Sequence, residues 1–406
     1  MKQVIVRKYG GAGLSRPEQI VEVAKATADL RKQGHSVVLV VSAMGKTTDQ
    51  LVDLAHSVSS APNRRELDML LSTGERVSMA LMSMALHELG CPAISFTGSQ
   101  AGVFTNSSHS DAHIVDIRPV RVESALQEGK VVVIAGFQGV NPETKEITTL
   151  GRGGSDTTAV ALAAHFQSPR CEIIKNVPGI CSADPRYVVN PTTYLSLPAQ
   201  VAAEMSFWGA KILHYRSVEL AQALKVPLFV GNIHDENGGT HLTLNAAGDE
   251  DMYESGRILS VNSHSVVETF EIQSDSMNSA LNEWSNFLNK HQLPHPQILA
   301  SAAEPSKARV MVTAPPETLS SIRELVTGVK NISCINESLC SVTATCYGST
   351  SSQLSDKIVQ LLANHEIGVK KMTLSSMSIS CFVPVEHQER AVQLIHKLID
   401  NSENGN

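Results

Sequence analysis

The chain has 406 residues, 42% of them hydrophobic, and a formal net charge of −7. That length suffices for two or three domains with substantial cores, and the acidic balance disfavours extended nucleic-acid or anionic-membrane binding as a function class. No apolar run is long enough to span a bilayer, and the N-terminal stretch lacks a signal-peptide core, so a cytoplasmic location is expected. Seven cysteines without a C-x-x-C pair suggest neither a disulfide framework nor a zinc site, and fit buried thiols in a reducing compartment.

Residues 3–8 alternate valine and isoleucine with polar residues and predict a strand, broken by Tyr9-Gly10-Gly11-Ala12-Gly13. An amphipathic helix is predicted over 17–33, then a nearly continuous apolar strand over 36–41 that reads as buried on both faces. That strand runs into the small, polar loop Ser42-Ala43-Met44-Gly45-Lys46-Thr47-Thr48. A long helix over 74–89 follows, with Glu75 and Arg76 in its first turn, where a carboxylate also favours the helix dipole. Strands are predicted over 92–96 and 130–136, with a helix over 121–129 between them. His109, Asp111 and His113 alternate in a way that could place three ligands on one strand face, but polar residues often alternate without binding metal, and no metal site is assigned.

The most informative stretch is Leu150-Gly151-Arg152-Gly153-Gly154-Ser155-Asp156-Thr157-Thr158-Ala159, between a β-prone run and a helical segment. Glycines there let backbone N–H groups approach a ligand closely, and a helix N-terminus favours anions. Arg152 supplies a planar fork suited to carboxylate or phosphate, while Ser155 and Asp156 can cap the helix or contact a ligand. The bland alternative is a capped strand-to-helix junction with a solvated arginine. A dinucleotide fingerprint is excluded because Asp156 stands where the third glycine is needed. A P-loop is excluded because its first glycine would fall on Val40.

A strand over 171–177 ends at Pro178-Gly179; helices over 198–213 and 216–224 and a strand over 227–231 follow. Alternating strands and helices up to about residue 245 predict a layered α/β domain with a mainly parallel central sheet, its glycine loops gathered at the strand carboxyl ends. The polar, acidic run 245–256 marks the boundary, giving a first domain over 1–245, a linker over 246–262 and a further region over 263–402. In that region strands at 265–273, 297–302, 307–313, 339–347, 370–374 and 377–384 alternate with helices at 277–291, 316–326, 351–364 and 387–399. The twice-used β-α-β-β-α-β order predicts two small ferredoxin-like modules.

Read together, five stretches resemble the aspartate kinases of the amino-acid kinase family. They are Lys8-Tyr9-Gly10-Gly11, the Val41–Thr48 loop, Thr73-Gly74-Glu75-Arg76, Thr149 to Thr158, and Gly209-Ala210-Lys211-Ile212-Leu213-His214. The resemblance covers essentially the whole chain and implies tandem ACT modules after the kinase domain. It implies transfer of the ATP γ-phosphoryl group to the side chain of L-aspartate, a carboxylate already ionised at neutral pH, so that no general base is needed. The resemblance places Lys8 at the transferring phosphate and Lys211 near the ATP phosphates. Arg152 then grips a substrate carboxylate, Glu75 and Asp156 lie at its polar end, and Ser42 and Thr47 contact the substrate. Gly10, Gly11, Gly153, Gly154, Ser155, Lys175, Asn176, Asp184 and Arg186 fall on the nucleotide side. Mg2+ is expected to arrive with ATP, bridging phosphates, and not in a protein cage.

The chain departs from the family pattern in places. Ala12-Gly13 replaces two hydroxyl residues, and Lys175-Asn176-Val177-Pro178-Gly179-Ile180-Cys181 replaces a strand that usually carries Thr/Ser-Asp at its start and Tyr at its end. Asn176 loses a charge, Lys175 gains one and Cys181 lacks a ring. By resemblance the modules pair into a homodimer and bind lysine or threonine. The turns that would receive an effector, 274–278 and 347–351, lack the family's proline, so weak inhibition at most is expected. Competing readings are a related kinase acting on another small carboxylate or carbamate, and a degenerate kinase that senses an amino acid.

Overall fold

The computed structural model describes residues 3–233, 235–244, 257–291, 293–347 and 352–400. Contacts group the chain into two compact units: 1–180, 193–203 and 211–247 form the first, and 181–192, 204–210 and 248–406 the second.

The first unit is built on an eight-stranded sheet in the order Ser196–Pro198, Asp235–Thr243, Leu228–Asn232, Cys171–Ile174, Val4–Tyr9, Ser36–Val41, Val131–Ala135, Ala93–Phe96. Every neighbouring pair is parallel except Leu228–Asn232 with Asp235–Thr243. The central strands Ser36–Val41 and Val131–Ala135 are rich in β-branched residues and, Ser36 aside, fully buried, as a sheet covered on both faces requires. One face packs Val37, Leu39, Val131 and Val133 against Ile20 and Val23 of helix Pro17–Lys32 and Met82 and Leu86 of helix Thr73–Glu88. Each such aliphatic side chain contributes about 1.5–3 kcal/mol on burial. Helix Gly154–His165 packs on the central strands; buried from Gly154 through Ala163, it has almost no polar face. Parallel pairing brings the carboxyl ends of Val4–Tyr9, Ser36–Val41, Val131–Ala135 and Cys171–Ile174 to one edge, so their loops share one place.

The second unit contains a six-stranded antiparallel sheet in the order Gln297–Glu304, Lys307–Thr313, Arg257–Gln273, Ile332–Tyr347, Ser378–Pro384, Lys371–Leu374. The expected β-α-β-β-α-β order is present, with one difference. The first strand begins at Arg257, inside the span expected to be a linker, and the two long central strands serve both modules. Phe270, Ile272, Trp284, Phe287, Val310 and Ile322 form one core; Ile258, Val261, Val342, Ile358, Ile379 and Ile395 form another. The early half of Arg257–Gln273 therefore completes the module that is later in sequence, and register shifts between His264 and Thr269 separate the halves. A pattern search along the chain misses this because the second module's strands are not contiguous. The run 245–256 and most of the turn 347–351 lie outside the described residues.

The helix expected over 198–213 stops at Phe207, in Ala199–Phe207. Gly209 then takes a φ of +102°, and a Cβ there would stand 2.4 Å from the Ser263 carbonyl oxygen. Only glycine accommodates both the conformation and the approach.

Candidate active site

Three of the expected loops converge on Ala43. Gly45 N–H donates to the Gly11 carbonyl at 3.0 Å, and a Cβ on Gly11 would lie 2.6 Å from the Ala43 carbonyl oxygen. A Cβ on Gly74 would lie 2.9 Å from that of Ala43. These approaches explain glycine at both positions, and they set the first turn of Thr73–Glu88 against the loop after Ser36–Val41. Glu75 Oε1 accepts from Ala43 N–H at 3.1 Å, while its buried Oε2 has no hydrogen-bond partner. Burial raises the Glu75 pKa to about 7, against the lowering influence of the Ala43 and Glu75 N–H groups and the Lys8 charge. Ser42 N–H bonds to Tyr9 O at the mouth of the same loop, and Thr47 Oγ1 to Met44 O at 2.7 Å as the next helix begins.

The remaining loops converge on Asp156, buried in the first turn of Gly154–His165. Lys8 Nζ, also buried, pairs with Asp156 Oδ1, and Lys175 Nζ stands 3.6 Å from Oδ2. Lys175 Nζ also donates to the Ile212 carbonyl. Burial alone would raise the Asp156 pKa, but Lys175 and Lys8 outweigh it and hold the group below its ordinary value. Burial, aided by the Lys8 charge, lowers Lys175 against the pull of Asp156. Gly10 lies beside both lysines: a Cβ there would be 3.7 Å from Lys175 Cγ and 3.8 Å from Lys8 Nζ. Asn176 faces Gly13, its Oδ1 3.6 Å from where a Cβ would stand.

The glycine loop departs from a capped junction. Gly153, at φ +74°, is the N-cap of Gly154–His165, and no side chain caps that helix. Asp156 is engaged by the lysines instead, and Ser155 is buried with its Cβ 2.8 Å from where one on Gly136 would be. The helix thus meets the strand edge with an uncapped, positive N-terminus beside two lysines, an anion-binding arrangement. Arg152 is exposed and Lys211 likewise. Asp184 and Arg186 belong to the second unit, where Arg186 Nε lies 3.0 Å from both oxygens of the carboxylate and Nη2 donates to Oδ2 at 2.5 Å.

Residues 3–232 match the amino acid kinase family. The chain is 52% identical over 237 residues to an aspartokinase of Corynebacterium glutamicum, an alignment that spans 58% of this chain and 56% of that relative. It is 36% identical over 406 residues to an aspartokinase of Geobacillus stearothermophilus, covering 97% of this chain and 96% of the relative. The chain belongs to the amino acid kinase family, among its aspartokinases. Its fold superimposes on E. coli aspartokinase III, solved with aspartate and ADP, with a TM-score of 0.78 at 20% identity over 98% of this chain and 100% of that one.

The structure adds residues that the motifs did not single out. Asp68, fully buried in helix Arg64–Leu71, accepts from Thr149 Oγ1 at 2.5 Å and Ser110 N at 3.1 Å, and pairs with His109 Nδ1 at 2.7 Å. Asp111 pairs with Arg216, which also donates to Leu150 O at 3.0 Å. His109 and Asp111 therefore hold the base of the glycine loop, and no group of three or more metal-ligating side chains occurs among the described residues. The sequence signal for Asp68 was a lone carboxylate among the apolar positions of an amphipathic helix. His214, the last residue of the fifth motif, packs against Gly153, and burial with the Arg216 charge lowers its pKa to about 4.

Proposed function

We propose that this protein phosphorylates the side-chain carboxylate of L-aspartate with ATP, giving 4-phospho-L-aspartate and ADP, the opening step of the aspartate-derived amino-acid pathway. One observation carries the reading: a buried Lys8–Asp156 pair with the half-buried Lys175 beside it, at the uncapped N-terminus of Gly154–His165, on the sheet edge that also presents Glu75. The side-chain carboxylate oxygen attacks the γ-phosphorus, the bond to the bridging oxygen breaks, and ADP leaves with that electron pair. No proton moves in this step, so the site needs charge and position more than a base.

Lys8 meets the transferring phosphoryl group, with Asp156 fixing its ammonium. Because both oxygens of Asp156 face lysines, the substrate ammonium falls to Glu75 Oε2, the buried oxygen without a partner. Arg152 takes a substrate carboxylate, and Ser42 and Thr47 line the same pocket. Charge-assisted hydrogen bonds of this kind contribute about 1.5–3 kcal/mol each. Gly10, Gly11, Gly153, Gly154 and Ser155 offer backbone to the phosphates, with Lys175, Asn176 and Lys211 on the nucleotide side. Mg2+, arriving with the nucleotide, would supply neutralising charge at its phosphates.

The second unit is read as a pair of ACT-type modules that build a homodimer in the cytoplasm and bind lysine or threonine weakly at most. Ser276 supports the weak-effector reading, since its side chain caps helix Met277–Lys290 by accepting from Ser279 N at 3.2 Å. Purified protein with ATP, Mg2+ and L-aspartate should yield a hydroxylamine-trapped acyl phosphate. A signal with another small acid and none with aspartate refutes the substrate assignment.

A further inference from the structure

Three contacts stitch the segment 211–216 to the glycine-rich loop 150–156. Arg216 donates to the Leu150 carbonyl at 3.0 Å. His214 lies so close to Gly153 that a Cβ there would sit 2.2 Å from its own. Lys175 closes the seam: its ammonium donates to the Ile212 carbonyl and faces Asp156 Oδ2 at 3.6 Å. Of the three, only Lys175 joins the seam to the Asp156–Lys8 pair.

We propose that Lys175 is a positioning residue that couples the two substrates, linking the loop that carries Arg152 to the segment that begins with Lys211. This rests on the aspartate-kinase reading, in which Arg152 meets aspartate and Lys211 meets ATP. An ammonium has three donors on a flexible stem, and here two directions are committed, one to each element. Placing a second cation beside Lys8 in a buried site is unfavourable unless its contacts offset it. The carboxylate and the carbonyl supply that compensation only while both elements hold their places. A ligand that fixes the Arg152 loop therefore also fixes the Ile212 backbone, and the segment carrying Lys211 is already ordered when the nucleotide arrives. Coupling of this kind is reciprocal: ATP tightens aspartate by the factor by which aspartate tightens ATP.

Calorimetric titration with the Mg2+ complex of AMP-PNP, with and without saturating L-aspartate, measures that factor. In the wild type, aspartate should tighten the analogue at least about fivefold, the lower range of ordinary coupling. In Lys175→Met the factor should fall below about twofold, and Lys175→Arg, which keeps charge and donors, should recover part of it. Lys175→Gln replaces the methionine variant if that one does not fold. Retention of wild-type coupling in either neutral variant, or absence of coupling in the wild type, overturns the proposal. Hydroxamate formation by the wild type, assayed separately, tells that failure from failure of the aspartate-kinase reading.

Discussion

Replacing Glu75 with glutamine should improve the stability of the protein at alkaline pH while damaging substrate binding. Glu75 is 3% exposed, its Oε2 is without a partner, and its pKa stands at about 7 against an ordinary 4.5. A carboxyl raised in this way binds its proton more tightly in the folded state. Its contribution is therefore fully present below the unfolded value and lost as pH rises from about 4.5 to about 7. The gap corresponds to roughly 3 kcal/mol as an order of magnitude, all of it lost by pH 8. Glu75→Gln removes that ionisation, so thermal denaturation should show a higher Tm than the wild type at pH 8 and little difference at pH 5. Substrate binding should move the other way. If ionised Glu75 holds the substrate ammonium, the wild-type KM for aspartate falls about tenfold between pH 6 and pH 8. In Glu75→Gln that pH dependence should vanish and KM should rise at least about tenfold at pH 8. A glutamine variant with wild-type KM and an unchanged pH profile would refute the assignment of Glu75 to the ammonium.

Arg152→Lys should raise the aspartate KM about tenfold or more with a smaller effect on ATP, because an ammonium cannot reproduce a bidentate fork; wild-type kinetics would make Arg152 a surface charge. Gly153→Ala should be destabilised by at least about 1–2 kcal/mol from its left-handed backbone alone, with the His214 overlap adding to it, and denaturant melts of the two proteins measure this. Lysine and threonine, singly and together, should inhibit only at millimolar concentration or above; strong inhibition well below that range would show that the turn at Ser274–Asn278 still receives an effector despite its capping role.

Much of the first unit could be read from local chemistry. The apolar run at 36–41 reads as a strand buried on both faces, and glycines after parallel strands gather at one edge. Lys8, Glu75 and Asp156 were singled out through the family resemblance of their motifs, each near a glycine at a strand or helix end. Their partners were not. Nothing local tells that Asp156 pairs with Lys8 and Lys175 and does not cap its own helix, since those contacts cross 148 and 19 residues of chain (156 − 8 and 175 − 156). Asp68 was hidden for the same reason: its role appears only once Thr149 and Ser110 reach it. The helix end at Phe207 depended on the Ser263 carbonyl above Gly209, more than 50 residues away.

The chain also interleaves its two units in a way that composition cannot show. Residues 181–192 and 204–210 precede the boundary run in sequence, yet both are built into the second unit. In the first of them, Ser182 Oγ and His396 Nε2 hydrogen-bond at 2.8 Å, Val261 N–H donates to Ser182 O, and Tyr187 and Val188 pack against the core that includes Ile258 and Ile395. In the second, Trp208 is buried with Val267, Leu299, Met311 and Phe382, and the Phe207 carbonyl accepts from Gln297 Nε2 at 2.8 Å. These anchors combine apolar burial with buried or part-buried hydrogen bonds, so releasing either segment would leave polar groups without partners as well as expose apolar surface. Ala210 closes the second segment, and the next residue is Lys211. Within the first unit, Gly153, Lys175 and Arg216 hold the segment that runs from Lys211 to Arg216.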